Sequence, residues 1–434
     1  MTTPGTPVLL ALTGSALEPV VIRDLQHAEG TGVRIARRCV DVADLLAAAA
    51  SGRARAALLA VDLPHLDGDV VAALRAAHVE PLGVVGDEAT GATGATAATA
   101  ATAATHRLHQ MGVRVVLVAR GDDDLATQIV QRLEQEHPAD SPASPAAGLE
   151  AREPADAPTG QVVAVWGPTG APGRTTVAIG LAAELADLGH PALLVDADVY
   201  GGSVAQHLAM LDDVSGVLAA ARNAKVGALD GAALALHCRA VGWLRVLTGL
   251  PRPDRWPELS PAAMSSILTC ARGLAHHVVV DCGFSLESEE DLMFDTAAPR
   301  RNGATWSVLE QADRVLAVGG ADPVGLSRLA RGVVDLGASL PGREVSVVVN
   351  RMRGSLGWSA GEATAMIERF TGRGGAVVLP EDRAACDRAL VRGGTLAECA
   401  PGSPLRSALR ALAADVAGVQ VPAKTRRRRV AAVP

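Results

Sequence analysis

Short apolar runs alternate with helically spaced segments along the first third of the chain. VLLALTG (8–14), VRIARRC (33–39), AALLAV (56–61), PLGVV (81–85) and VRVVLVA (113–119) read as strands. Between them, DVADLLAAAASG (41–52) and DGDVVAALRAAH (67–78) open on an aspartate cap and continue with helical periodicity. Repeated strand–helix alternation predicts a small doubly wound α/β domain over residues 1–137. An Ala/Thr/Gly tract, ATGATGATAATAATAAT (89–105), interrupts the rhythm and is expected as a surface loop or a helix extension.

The pattern then stops. EHPADSPASPAAGLEAREPADAP (136–158) is rich in Pro, Ala, Ser and acid, cannot bury enough apolar surface to fold, and predicts a linker over 138–159. Beyond it, QVVAVWGPTGAPGRTTVAIGLAAELADLG (161–189) reads as strand, Gly-rich loop and helix. PALLVDADVYGGS (191–203) is a buried strand ending in Asp196 and Asp198, and HHVVVDCGFSLE (276–287) is another ending in Asp281. Periodicity ends again at VPAKTRRRRVAAVP (421–434), a basic tail.

Composition narrows the classes. Hydrophobic residues make up 49% of the 434 residues but aromatics only 2%, so the cores must be built from Ala, Val and Leu. A net charge of −7 argues against bulk binding of polyanions. The six cysteines include no CxxC pair and no Cys/His grouping at zinc spacing. Neither a signal-peptide pattern nor an apolar run of membrane-spanning length is present, so a soluble, cytoplasmic protein is expected.

The loop after the first strand of the larger unit has the context a phosphate site needs. Small residues let backbone N–H groups converge on phosphate oxygens, and the helix N-terminus adds partial positive charge. Thr175 would offer its hydroxyl to Mg²⁺, and Arg174 stands where a phosphate lysine normally stands. Alone, the loop reads equally as a Gly/Pro-rich turn. A carboxylate at the carboxyl end of a parallel strand lies at the rim where doubly wound sheets bind ligands. Asp281 is thereby placed to hold the Mg²⁺ hydration shell; taken singly, each aspartate could equally be a cap or loop residue. Trp256, in GLPRPDRWPELSP (249–261), reads as the cover of a core edge, with a partner-contact loop as the alternative.

Two resemblances follow. The stretch 1–137 resembles a response-regulator receiver domain, with DLPHLDG as the turn after its third strand. The phosphoacceptor position falls on Ala60, and Thr13-Gly14 replaces the acidic pair, so no phosphotransfer chemistry is expected there; Asp62 reads as a turn or cap residue. From 161 to 416 the chain resembles the MinD/ParA deviant-Walker ATPases, through GPTGAPGRTT, LLVDADVYGGS, VVVDCGFSL, ADRVLAVGGADPVGLSRL, VVVNRMRG and the LPED segment. The resemblance implies that Gly170, Ala171, Pro172, Gly173, Arg174, Thr175 and Thr176 bind the phosphates of ATP. Asn350 would recognise adenine, with Pro380 and Asp382 continuing the base pocket. Asp198 would orient the attacking water with Arg174 beside it, and Asp196 would support Mg²⁺ together with Thr175 and Asp281.

The fold expected is therefore α/β: a doubly wound parallel-sheet P-loop NTPase domain (160–420) preceded by a smaller receiver-like, flavodoxin-like domain. That order resembles the TadZ/CpaE branch, which implies a homodimer governed by ATP and a role in positioning pilus, secretion or division machinery at the envelope. Thr169 occupies the family's signature-lysine position, and Arg replaces Lys at 174, so hydrolysis is expected to be slow; Arg351 and Arg353 are candidate substitutes. A pseudo-ATPase scaffold and a ParA-like DNA-partitioning protein are the alternatives. Lys424 and Arg426 to Arg429 would give weak electrostatic contact with nucleic acid or with the inner face of the cell membrane, if the tail is more than a solvated end.

Overall fold

The computed structural model describes residues 5–27, 32–86, 95–119, 125–135, 160–170, 173–210, 214–287 and 300–419. The expected linker, the basic tail, Ala171 and Pro172 lie outside the described residues. So do 89–94 of the Ala/Thr/Gly tract, whose remainder belongs to a helix, Ala95–Gln110.

The first unit is one parallel sheet of five strands, β1 (Thr6–Ala11), β2 (Val33–Arg38), β3 (Ala56–Ala60), β4 (Glu80–Gly86) and β5 (Val115–Ala119). They run in the order β2-β1-β3-β4-β5, the winding of flavodoxin-like sheets. The expected aspartate caps are in place: Asp41 Oδ1 accepts from the Asp44 amide and Asp67 Oδ1 from the Val70 amide.

The second unit has eight strands: β6 (Gln161–Trp166), β7 (Ala192–Ala197), β8 (Arg239–Val241), β9 (Leu244–Leu247), β10 (His277–Cys282), β11 (Arg314–Gly320), β12 (Val345–Met352) and β13 (Val377–Pro380). Their order is β13-β12-β11-β6-β10-β7-β9-β8, and every neighbouring pair is parallel except β8 with β9. Strands up to β10 build one side of β6, and β11 to β13 build the other. The reversal falls at β6, and the carboxyl end of such a strand is where a crevice opens.

Alternate side chains of β6 feed opposite cores. Val162, Ala164 and Trp166 join one, and Val163 and Val165 the other. The helix Arg174–Asp187 is buried from Val177 to Ala186, beneath the helix Pro404–Val416. A Cβ at Gly180 would lie 2.6 Å from Leu409 Cδ1, so the two helices meet through a glycine notch. Trp256 packs against the core, as expected of an edge cover, and also lines a cleft facing the helix Gly68–Ala76 of the first unit.

One buried charge ties the helix pair. Glu184, 2% exposed, accepts from Arg406 Nε at 2.7 Å and from Arg410 Nη1 at 2.9 Å. Removing it takes the buried acceptor from two arginines and leaves them the half-exposed Asp187, so Glu184→Ala is expected to cost about 2–3 kcal/mol of stability. Asp187, which meets the same arginines at 45% exposure, should cost less than about 1 kcal/mol on truncation. Urea unfolding of the full chain checks both, and an unchanged midpoint for Glu184→Ala would mean that water satisfies the two guanidinium groups equally well.

Candidate functional site

The loop between β6 and the helix Arg174–Asp187 turns on two left-handed glycines, Gly170 at φ +68° and Gly173 at φ +93°. Each is glycine for a second reason. A Cβ at Gly173 would collide with Asn350 Nδ2, and one at Gly170 with Arg328 Nη1. Side chains from the neighbouring strand β12 and from the helix Pro323–Ser339 thus lie close against the loop.

Arg174, at the start of the helix, folds back on its own loop. Its Nη1 donates to the Gly167 carbonyl at 3.2 Å and its Nη2 to Asp198 Oδ2 at 3.3 Å. The guanidinium also lies 6.0 Å from the Phe284 ring centroid, over its face.

Three aspartates crowd the ends of β7 and β10. Parallel register sets Asp281 beside Asp196. Asp196 Oδ1 accepts the Asp198 amide at 3.2 Å and Oδ2 the Val204 amide at 3.1 Å. Gly202 and Gly249 wall it in, since a Cβ at either would press within 2.8 Å of the carboxylate. Burial lifts its pKa to about 7; the amide bonds oppose that and the Asp198 charge adds to it. With both oxygens bonded to backbone, Asp196 shapes the 198–204 turn. Asp198 Oδ1 in turn accepts the amides of Tyr200 at 2.9 Å and Gly201 at 3.2 Å, so a water on Asp198 competes with Arg174 for Oδ2.

Asp281 differs. It is fully buried, and neither oxygen receives a hydrogen bond of normal geometry. Burial, then the charges of Asp196 and Asp198, push its pKa well up, while the nearby Thr175 hydroxyl and Arg174 pull it down. A bare carboxylate facing a threonine hydroxyl beside a Gly-rich loop fits a hard cation that keeps most of its water. Among the described residues no group of three His, Cys, Asp or Glu side chains could chelate a metal unaided, so phosphate or water would have to complete any such shell.

The base-pocket candidates also meet. Asn350, Pro380 and Asp382 line one cleft of about 430 Å³ with Gly173 and Thr176. Asp382 is partly spent on structure: it caps the helix Arg383–Arg392 through the Ala385 amide and accepts the Ser403 hydroxyl at 2.7 Å. Arg353 is turned toward Glu381 at 3.7 Å, and Arg351, at φ +60°, lines this cleft beside Asn350. A separate cleft of about 500 Å³, around Ser265, Asn302 and Trp306, includes no residue of the phosphate loop.

Sequence reasoning passed over Arg328, Tyr200 and Phe284. The two rings stack at 4.6 Å, Tyr200 donates to Asn302 Oδ1 at 2.8 Å, and Arg301 covers the Tyr200 ring at 4.0 Å. These contacts tie the loop after β7 to the loop after β10. A signal existed: the chain has one tyrosine and three phenylalanines, and two of those four rings stand here.

The second unit has the fold of a ParA family ATPase. The solved structure of that protein from Chlorobium tepidum TLS matches 58% of this chain and 98% of its own, at 18% identity and a TM-score of 0.50. The Pyrococcus furiosus cell division ATPase MinD matches at 19% identity over 60% of this chain and 99% of its own, TM-score 0.48. The septum site-determining protein MinD of Pyrococcus horikoshii OT3, solved with Mg-ADP, matches at 18% identity over 59% and 95%, TM-score 0.46. No protein-family model and no curated protein matches the chain.

Truncating Asp196 leaves two buried amides without an acceptor, which costs about 1–3 kcal/mol locally. Asp196→Ala should therefore speed hydrogen exchange at the Asp198 and Val204 amides by about tenfold or more. Unaltered protection at both would place the stability of the turn elsewhere.

Proposed function

We propose that the chain is an ATP-dependent switch of the MinD/ParA type, in which the nucleotide sets the state of the loops after β7 and β10. One observation carries the reading. A buried carboxylate (Asp281) facing the Thr175 hydroxyl and a left-handed glycine loop stand at the reversal point of the sheet, next to a cleft lined by Asn350. Thr175 and Asp281 would hold Mg²⁺, directly and through its water. Bound Mg²⁺ supplies neutralisation of phosphate charge. The loop amides would bind the phosphates, and Asn350, Pro380 and Asp382 would enclose the base. Arg174 would exchange the Gly167 carbonyl for a phosphate oxygen, and Asp198, released from Arg174, would orient water.

A first unit with flavodoxin-like strand order, carrying Ala60 where a phosphoacceptor would stand, supports the TadZ/CpaE-like arrangement. On that reading the protein forms a homodimer in its ATP state and localises envelope machinery from the cytoplasmic side. Among the described residues no helix is long and apolar enough to cross a membrane, and the basic tail would supply any surface contact.

A second reading, a scaffold that binds nucleotide without turning it over, is favoured by Arg174 being already bonded to the Gly167 carbonyl and to Asp198. Affinity and turnover separate the two. Wild-type protein should bind Mg-ATP, and Arg174→Ala should weaken it about tenfold or more, the worth of a charge-assisted hydrogen bond. Asp281→Asn should remove the dependence on Mg²⁺. In a phosphate-release assay, Asp198→Ala should fall below wild type; equal rates in the two proteins would sink the enzyme reading and leave the scaffold. No binding by wild type would refute both.

A further inference from the structure

We propose that Arg328 is a second phosphate-binding cation of the loop, supplied from the helix Pro323–Ser339 of the same chain and directed at the outermost phosphate of a bound nucleoside triphosphate. The inference rests on the nucleotide reading of the same site.

Placement carries it. Gly325, Arg328 and Gly332 lie three and four residues apart, on one stripe of the helix. The two glycines press that stripe onto the sheet. A Cβ at Gly325 would sit 2.6 Å from the Gly320 carbonyl oxygen, and one at Gly332 would sit 3.1 Å from Trp166 and 3.3 Å from Pro168. Trp166 ends β6 and Pro168 is in the loop, so the helix is seated on the loop's own root. Between the glycines, the Arg328 guanidinium lies over Gly170, where any side chain on the loop would displace it.

Charge gives the reason. A triphosphate brings several negative charges to a loop whose own cation, Arg174, is bonded to a backbone carbonyl and to Asp198. Thr169 adds none. Arg328 is exposed, and among the described residues no carboxylate pairs with it, so a ligand would meet a planar fork suited to two phosphate oxygens.

Position along the loop selects the phosphate. Gly173 and Thr176 line the cleft expected to take the base, whereas Gly170 does not. Arg328 therefore covers the end of the loop remote from the base, where ATP has a phosphate and ADP has none.

The test compares Mg-ATP and Mg-ADP affinity for the full chain, for Arg328→Ala and for Arg328→Lys, with circular dichroism as the check on folding. Arg328→Ala should weaken ATP about tenfold or more while leaving ADP within about twofold, and Arg328→Lys should recover part of the loss. ATP affinity unchanged, or ATP and ADP weakened alike, would overturn the role of Arg328 and leave the nucleotide site standing. Wild type binding neither nucleotide would overturn the nucleotide site and Arg328's role with it.

Discussion

Asp196 and Asp281 end adjacent parallel strands in register, and both are withdrawn from water. An ionised carboxylate without partners is costly in such surroundings, and a second one alongside adds repulsion. The two are treated differently. Asp196 is given two backbone amides and a cage whose walls must be glycine. Asp281 is given only a threonine hydroxyl nearby and the more distant charge of Arg174. The loop after β7 takes its shape from the first choice; the second leaves a buried carboxyl that burial and its acidic neighbours hold toward the neutral form and that a nearby cation would help to ionise. Arg174, bent back to Asp198, is the part of that compensation already present. The turn after β7 follows from where one of these two carboxylates was put.

A second constraint is the scarcity of rings. With aromatics at 2% of the chain, the cores are filled by Ala, Val and Leu, and helices can approach the sheet closely. Glycines at the contacts bring them closer still, Gly180 beneath Leu409 and Gly332 beneath Trp166. Close approach lets long polar side chains reach across elements. Arg406 and Arg410 extend from one helix to Glu184 on another, and Arg328 extends from its helix to the loop. The same arginines on helices held farther away by bulky cores would end in solvent.

Much of this was legible in the sequence. Strands buried on both faces read as continuous apolar runs, and a charge at the end of such a run marks the sheet's rim, which is how Asp196, Asp198 and Asp281 stand out. Aspartate caps at 41 and 67 marked helix starts. Asn350, Pro380 and Asp382 were reached through likeness to known motifs, since nothing in their spacing declares a common cleft. Arg328 was invisible because an arginine on an amphipathic helix looks like any solvated position. Its meaning depends on Gly332 seating that helix on Trp166 and Pro168, a contact across some 160 residues of sequence. Asp196 carries a local feature of its own: its oxygens are taken by amides only two and eight residues ahead, a turn that its strand-end position does not announce.

The first sheet has a doubly wound parallel arrangement of its own. At the end of β3 stands Ala60, and after β1 the Thr13 hydroxyl is spent on the Cys39 carbonyl at 2.9 Å. What the first unit offers the second is surface, and its character can be weighed. Lys225 and Asp69 meet at 3.1 Å, but both are about one-third exposed, so screening leaves that pair worth at most about 1 kcal/mol. The closer constraint is steric. Gly227, at φ +61°, lies so near the helix Ala95–Gln110 that a Cβ there would sit 2.7 Å from the Arg107 carbonyl oxygen. Backbone meeting backbone at a left-handed glycine tolerates neither a side chain nor a shifted register. Shape at this contact counts for more than the Lys225–Asp69 ion pair.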